Sequence, residues 1–283
     1  MQAHTGKVFL AAIALCSFLF GCHDQNTGAK KANEQSKDNG GTVVKNDTLS
    51  CFLLAGVYFI NGYGGVDKTY SLVKKNMTKQ PGDAGFVEEL VNAYAKIMEY
   101  PYHRSPAEKI DSRHTLEQWW EVHDAHEFHL LLSALKDKGH QEHYLLCKKI
   151  LDENGGANAD VSKIDLKKYN VEPGTELLLK FVKENDKQFS SSGIKAWDIA
   201  RYVSVICLGY SAEYIEANDG ITLLLQILAD ARKNYSDWKT YYSDFMLGRK
   251  FWGGDVSNNT VYDSVITQMM QGSYSIYKYQ PLK

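Results

Sequence analysis

From Thr48 onward, apolar residues recur at three- and four-residue intervals, the period of an α-helix, and the runs break at Gly- and Pro-bearing points. Leu49–Ile60 predicts an apolar helix closed by Asn61-Gly62-Tyr63-Gly64-Gly65. Asp83 is placed to cap a helix carrying Phe86, Leu90, Ala93, Tyr94 and Ile97, ended by Pro101. Ser112 or Thr115 opens a helix through Lys138, stopped by Gly139, and a second follows to about Asp152, before Asn154-Gly155-Gly156. Pro173 suits the first turn of the next helix, which runs through Phe181 to about Lys187. Ile194–Ile215, Gly220–Tyr235, Asp237–Lys250 and Thr260–Met270 complete the set. Alternating strand pairs joined by hairpin turns do not stand out, nor does an internal repeat. The body, residues 48–283, therefore reads as a single all-α domain. The loop Asn154–Asp160 marks where two subdomains would divide, but one core is the simpler reading.

Two helices carry charge on otherwise apolar faces. Between Ala196 and Ala212 the charged residues are Asp198 and Arg201, and the remainder are apolar or small. A helix hydrophobic all round is buried on most sides, so this one is expected to run through the centre of the domain. In the second helix Trp238, Tyr242, Phe245, Arg249 and Trp252 follow steps of four and three, which is one helical stripe. Two inward charges on one helix and an inward Arg on another predict a meeting. The expected geometry puts the Asp198 carboxylate within hydrogen-bond reach of the Arg249 guanidinium, with Arg201 nearby or capping a carbonyl. Such a trio is either a buried network locking two helices or a charged site in a cleft. Stripes otherwise made of Trp, Tyr, Phe and Leu favour the structural reading.

The first residues read as an address. Lys7 is the charge that precedes Val8–Phe20, thirteen residues without charge, too short for a spanning helix of about 20 residues. The run ends in Leu19-Phe20-Gly21-Cys22, which resembles the lipobox of bacterial lipoproteins. The resemblance implies a signal peptide over residues 1–21, cleavage before Cys22, and acylation of Cys22 with palmitate-type chains that insert in the lipid bilayer. In that class an Asp directly after the Cys favours inner-membrane retention. His23 stands there instead, so the expected location is the outer membrane, with the body in the periplasm. Residues 22–47 are mostly Asn, Lys, Asp, Gly, Gln and Ser and read as a disordered tether of about 25 residues, spanning roughly 25–30 Å.

Composition narrows the function classes. Lys plus Arg number 32 against 34 Asp plus Glu, leaving a net charge of −2, which gives no basic footprint for nucleic acid. Of five cysteines, Cys51, Cys147 and Cys207 remain after the signal and the lipid site, an odd count without C-x-x-C spacing. Each sits in an apolar stretch and is best explained as a core thiol, although one bridge stays open. Seven of nine histidines lie between His103 and His143. His123, His126 and His129 sit three apart, the spacing of metal ligands on adjacent turns, but each step of three turns the helix by about 60°, so a polar face is the better account. The sequence implies neither a metal nor a cofactor. Phosphate-loop, nucleophile-elbow and H-E-x-x-H patterns are absent.

One stretch resembles a known family. Gly193-Ile194, Ala196-Trp197-Asp198, Arg201, Gly209-Tyr210 and Tyr214-Ile215 look like the core motif of the domain-of-unknown-function family 1266. Ser236-Asp237-Trp238 and Leu247-Gly248-Arg249-Lys250-Phe251-Trp252 continue it. The resemblance is specific over residues 193–252, with Trp197, Gly209, Trp238, Gly248 and Trp252 as its core, and weaker upstream around Trp119-Trp120. It implies a bacterial all-α domain and supplies no catalytic residues. The lipoprotein signal departs from the commoner cytoplasmic members. The sequence thus leans away from an enzyme and toward a non-catalytic binding module that meets an unidentified protein or envelope partner. Two alternatives stand beside it: an envelope hydrolase or metal-binding protein, and a periplasmic lipoprotein that neutralises a toxin.

Overall fold

Regular structure among the described residues is helical throughout. The computed structural model describes residues 45–253 and 256–283. The stretch read as a signal peptide, Cys22 and, up to residue 44, the stretch read as a tether lie outside the described residues. Helix α1 (Asp47–Leu53) starts where Asn46 Oδ1 accepts the Leu49 N–H at 2.8 Å, satisfying an open helix donor. The single helix expected over Leu49–Ile60 is two, because α2 (Gly56–Gly62) restarts after a break at Leu54-Ala55. Tyrosine hydroxyls cause the break. Tyr241 Oη donates to the Leu54 carbonyl at 2.8 Å and Tyr242 Oη to the Leu53 carbonyl, so those oxygens leave the helical ladder. Gly56 lets Tyr277 reach the same place: a Cβ there would lie 2.0 Å from the Tyr277 hydroxyl.

Helix α3 (Val66–Lys75) was not expected from the periodicity. It is followed by α4 (Phe86–Met98), α5 (Pro106–Trp120) and α6 (Ala125–Asp137). The helix expected from Ser112 or Thr115 to Lys138 is therefore also two. Ser105 caps α5, with Pro106 in its first turn, and Glu121 ends it in the left-handed region at φ 55°. Asp124 then caps α6 by accepting the Glu127 N–H at 2.9 Å. Helices α7 (Gln141–Glu153) and α8 (Thr175–Glu184) follow, and Pro173 stands just outside α8 rather than in its first turn. The last four are α9 (Lys195–Ser211), α10 (Ala217–Asn234), α11 (Trp238–Phe251) and α12 (Val256–Met269).

Helix α9 runs through the centre, as its composition predicts: Ala196, Val203, Ile206 and Cys207 are fully buried. It packs against α5, α6, α10 and α11. Glycines set how closely. A Cβ on Gly209 would lie 2.2 Å from the Phe128 ring of α6, and one on Gly248 of α11 would lie 2.3 Å from Trp197 Cβ. The motif glycines are thus helix-crossing points, where the absence of a side chain lets backbones approach. A second, smaller apolar cluster joins Tyr144, Cys147 and Ile150 of α7 and Leu179 and Val182 of α8 to Ile194, Leu247 and Phe251.

The two ends of the described body are tied together. Trp238 Nε1 donates to the Gln280 carbonyl at 2.7 Å. The buried Gln280 side chain donates to Ser50 Oγ at 2.8 Å, and Arg232 reaches both the Leu282 carbonyl and Asp47, each at 2.6 Å. Cys51, Cys147 and Cys207 are free and buried. Burial pushes the Cys51 and Cys147 thiols up to about 12. Among the described residues, no helix is long and apolar enough to cross a membrane.

The crossing points give a direct test. Gly248→Ala and Gly209→Ala each force a methyl group into an occupied position, so each should cost about 1–3 kcal/mol of unfolding free energy in urea denaturation. An Ala substitution at Gly62, where an added Cβ meets nothing within 4 Å, should cost well under that.

Candidate functional site

Helix α7 begins without a capping side chain of its own: His140 occupies the cap position but makes no side-chain cap bond. The cap comes from another helix. Asp198, in the first turn of α9, accepts the His140 N–H on Oδ1 at 2.9 Å and the Gln141 N–H on Oδ2 at 2.8 Å. Helix α7 returns the favour to α9, since Gln141 Oε1 accepts the Ile194 N–H at 2.9 Å. Each helix thus supplies a side-chain acceptor to open donors at the other's start. A carboxylate at a helix N-terminus also sits at the positive end of the dipole. Gly139 makes this possible: its φ is +57°, and a Cβ there would lie 2.4 Å from the Asp198 carboxyl.

Arg201 completes the Asp198 group. Its Nη1 lies 3.3 Å from Asp198 Oδ1 and also donates to His140 Nδ1. Its guanidinium stacks between indoles, 4.8 Å from the Trp120 ring and 5.3 Å from the Trp197 ring. Accepting from Arg201 leaves the His140 ring proton on Nε2 in the neutral form. Burial, joined by the Arg201 charge, holds His140 below its ordinary value, against the opposing pull of Asp198.

Asp198 and Arg249 do not meet. Among the described residues, Arg249 makes no ion pair. Its guanidinium lies over the Tyr262 ring at 4.2 Å and near the Trp197 ring at 6.0 Å, and its buried Nε has no hydrogen-bond partner. The reason lies in the rotation of α9: one position before Asp198, Trp197 faces α11 and fills the gap, while Asp198 turns toward α7. The stripe of α11 is otherwise as expected, with Trp238, Tyr242, Phe245 and Arg249 buried. Trp252, at the helix end, remains 37% exposed and packs on Trp197 at 5.7 Å.

The histidine series is also rearranged. The break after α5 puts His123 in the α5–α6 connection, so His123, His126 and His129 do not share one helix. His123 pairs instead with Glu127, Nδ1 to Oε2 at 3.0 Å, and this partner raises its pKa. His129 lines an open groove with Glu213 and Asp219. Among the described residues, no group of three or more His, Cys, Asp or Glu side chains is placed to hold a metal ion. Asp244 has no part in the expected network, yet it is buried and accepts the Ser190 N–H at 3.2 Å as well as the Ser190 hydroxyl, and burial raises its pKa. Its i−3 relation to Leu247, inside the motif, is the one sequence signal pointing to it.

Two measurements check this arrangement. Asp198→Ala should cost about 3–5 kcal/mol, because it strands Arg201 and two helix donors, and should lower Tm by about 10 °C or more. In double-mutant cycles Asp198→Ala should couple to Arg201→Met and be additive with Arg249→Met to within about 0.5 kcal/mol. The second check is acidification. His140 has a folded pKa below its unfolded value of about 6.5, so the unfolded chain takes up the proton first and stability is lost as pH falls below about 6.5. Urea midpoints measured from pH 7 to pH 5 should fall, and the His140→Gln variant should show a shallower slope.

Comparison with known proteins places the chain. Residues 115–282, more than half of its length, match the family described as protein of unknown function (DUF1266). Over 72 residues it is 26% identical to the uncharacterized protein YbeR of Escherichia coli (strain K12), a match covering 25% of this chain and 31% of that protein. The chain therefore spans about a third of the length of that relative. No solved structure matches. The matched region runs from α5 to the clasp at Leu282 and contains both the α7–α9 capping pair and the Gly248 crossing, and the chain belongs to the DUF1266 family.

Proposed function

We propose that this protein is a membrane-anchored bacterial lipoprotein whose all-α body is a non-catalytic module for binding a partner in the cell envelope. The observation that carries the binding reading is how the ionisable groups at the motif are engaged. Asp198 serves two helix donors and Arg201, and Asp244 serves Ser190. A carboxylate engaged in this way is poorly placed to take a proton from a substrate, which requires a free lone pair within reach of the reacting atom. Cys51 and Cys147, held up near 12, are thiols rather than thiolates at neutral pH and weak nucleophiles.

Anchoring rests on the Leu19-Phe20-Gly21-Cys22 tetrad behind a thirteen-residue uncharged run. Several acyl chains on Cys22 would hold the protein in the bilayer, since each buried methylene contributes about 0.8 kcal/mol. His23 after the Cys supports the outer membrane. A polar stretch before the body would let it stand off the surface and meet a protein or envelope component.

Cys22→Ser should move the protein from the detergent phase to the aqueous phase in Triton X-114 partitioning and from the membrane fraction to the soluble one. Unchanged partitioning would overturn the anchor. In-cell crosslinking with mass spectrometry of the full chain should then recover an envelope protein with the anchored form.

A further inference from the structure

Arg249 is the anomaly of this fold. It is 6% exposed, yet among the described residues no carboxylate pairs with it and Nε meets no acceptor. Buried guanidinium groups are ordinarily paired, because desolvation of an unpaired charge is costly. Arg201, on the other side of the Trp197 ring, shows the ordinary solution, with Asp198 at 3.3 Å. A second donor beside Arg249 is in the same condition. Trp197 is 4% exposed and its Nε1 also lacks an acceptor. The shortage is specific: among the described residues, two buried donors, one of them cationic, have no anion beside them. Aromatic rings surround them, Tyr262 at 4.2 Å from Arg249 and Trp252 at 5.7 Å from Trp197, and Trp252 is the ring that opens to solvent.

We propose that Arg249 and Trp197 form a binding site for the oxyanion of a small ligand, a carboxylate or a phosphate, whose flat apolar portion stacks on Trp252. The fork of Nε and Nη donors on a guanidinium matches two oxygens of either group. An indole N–H adds a neutral donor, and an exposed indole face suits a planar body. The site deepens the binding-module reading and names the chemistry it would recognise. It does not depend on Cys22.

The test uses the full chain and four probes: phenylacetate, phenyl phosphate, acetate and neutral benzyl alcohol. Phenylacetate or phenyl phosphate should change tryptophan fluorescence saturably, which of the two being stronger identifying the oxyanion, with acetate at least about tenfold weaker and benzyl alcohol without effect. Arg249→Met should abolish the response while leaving Tm within about 3 °C of the parent or above it, because it removes a buried charge that has no partner. Trp252→Ala, at a partly exposed ring that packs on Trp197, should weaken binding severalfold while the protein still folds with a Tm lowered by only a few degrees. Absence of any anion response, a response that survives Arg249→Met, or an Arg249→Met protein that fails to fold would overturn the site. None of these outcomes touches the detergent partitioning of the Cys22→Ser protein or the crosslinking, which test the anchor and the envelope partner separately.

Discussion

Two helix starts that cap each other set the position of almost everything around them. Asp198 on α9 takes the first N–H groups of α7, and Gln141 on α7 takes the Ile194 N–H at the entry to α9. Because both acceptors are side chains fixed by their own helices, neither helix can rotate or slide without exposing donors on the other. An unsatisfied buried N–H costs more than a made bond gains, so the pair is held chiefly by what breaking it would leave behind. The smaller apolar cluster hangs from α7, while the larger one surrounds α9. The capping pair is therefore the hinge pin between them, and Gly139 and Gly193, which a Cβ would drive into Asp198 and Tyr144, are the turns that let it close.

The helical class, the central place of α9 and the inward stripe of α11 were legible in the sequence because each follows from spacing alone. Asp198 and Arg201 are buried for the reason their neighbours gave: a helix apolar on all sides leaves nowhere else for them. What spacing could not supply was direction. Asp198 and Trp197 are adjacent, so about 100° of rotation decides which faces α11, and the bulk of the indole takes that side. Helix breaks were hidden for a related reason. The interruption at Leu54-Ala55 depends on hydroxyls of Tyr241 and Tyr242, nearly two hundred residues away in the chain, and no local signal marks it. Between α5 and α6 the signal was present, since Asp124 and Glu127 are spaced as a cap and its third residue, but the apolar rhythm runs across it.

Buried charge is treated in two ways within one turn of Trp197. On one side, Arg201 has a carboxylate, an imidazole and two indole faces; on the other, Arg249 has, among the described residues, two aromatic rings and no carboxylate. Aromatic faces attract a cation by about 2 kcal/mol when desolvated, which offsets only part of the cost of removing it from water. Folds keep such deficits where something other than stability retains them.

The clasp between Gln280 and the start of α1 joins residues 234 positions apart in the chain. A ribosome releasing this chain from its N-terminal end must therefore finish residue 280 before the first helix can find its final neighbours. Until then α1 lacks its bonds to Gln280, although α4 and α10, on which it also packs, are already in the chain. Contacts this distant slow folding, because the loop must close before they reward it. The last few residues of the chain thus complete the surroundings of its first helix.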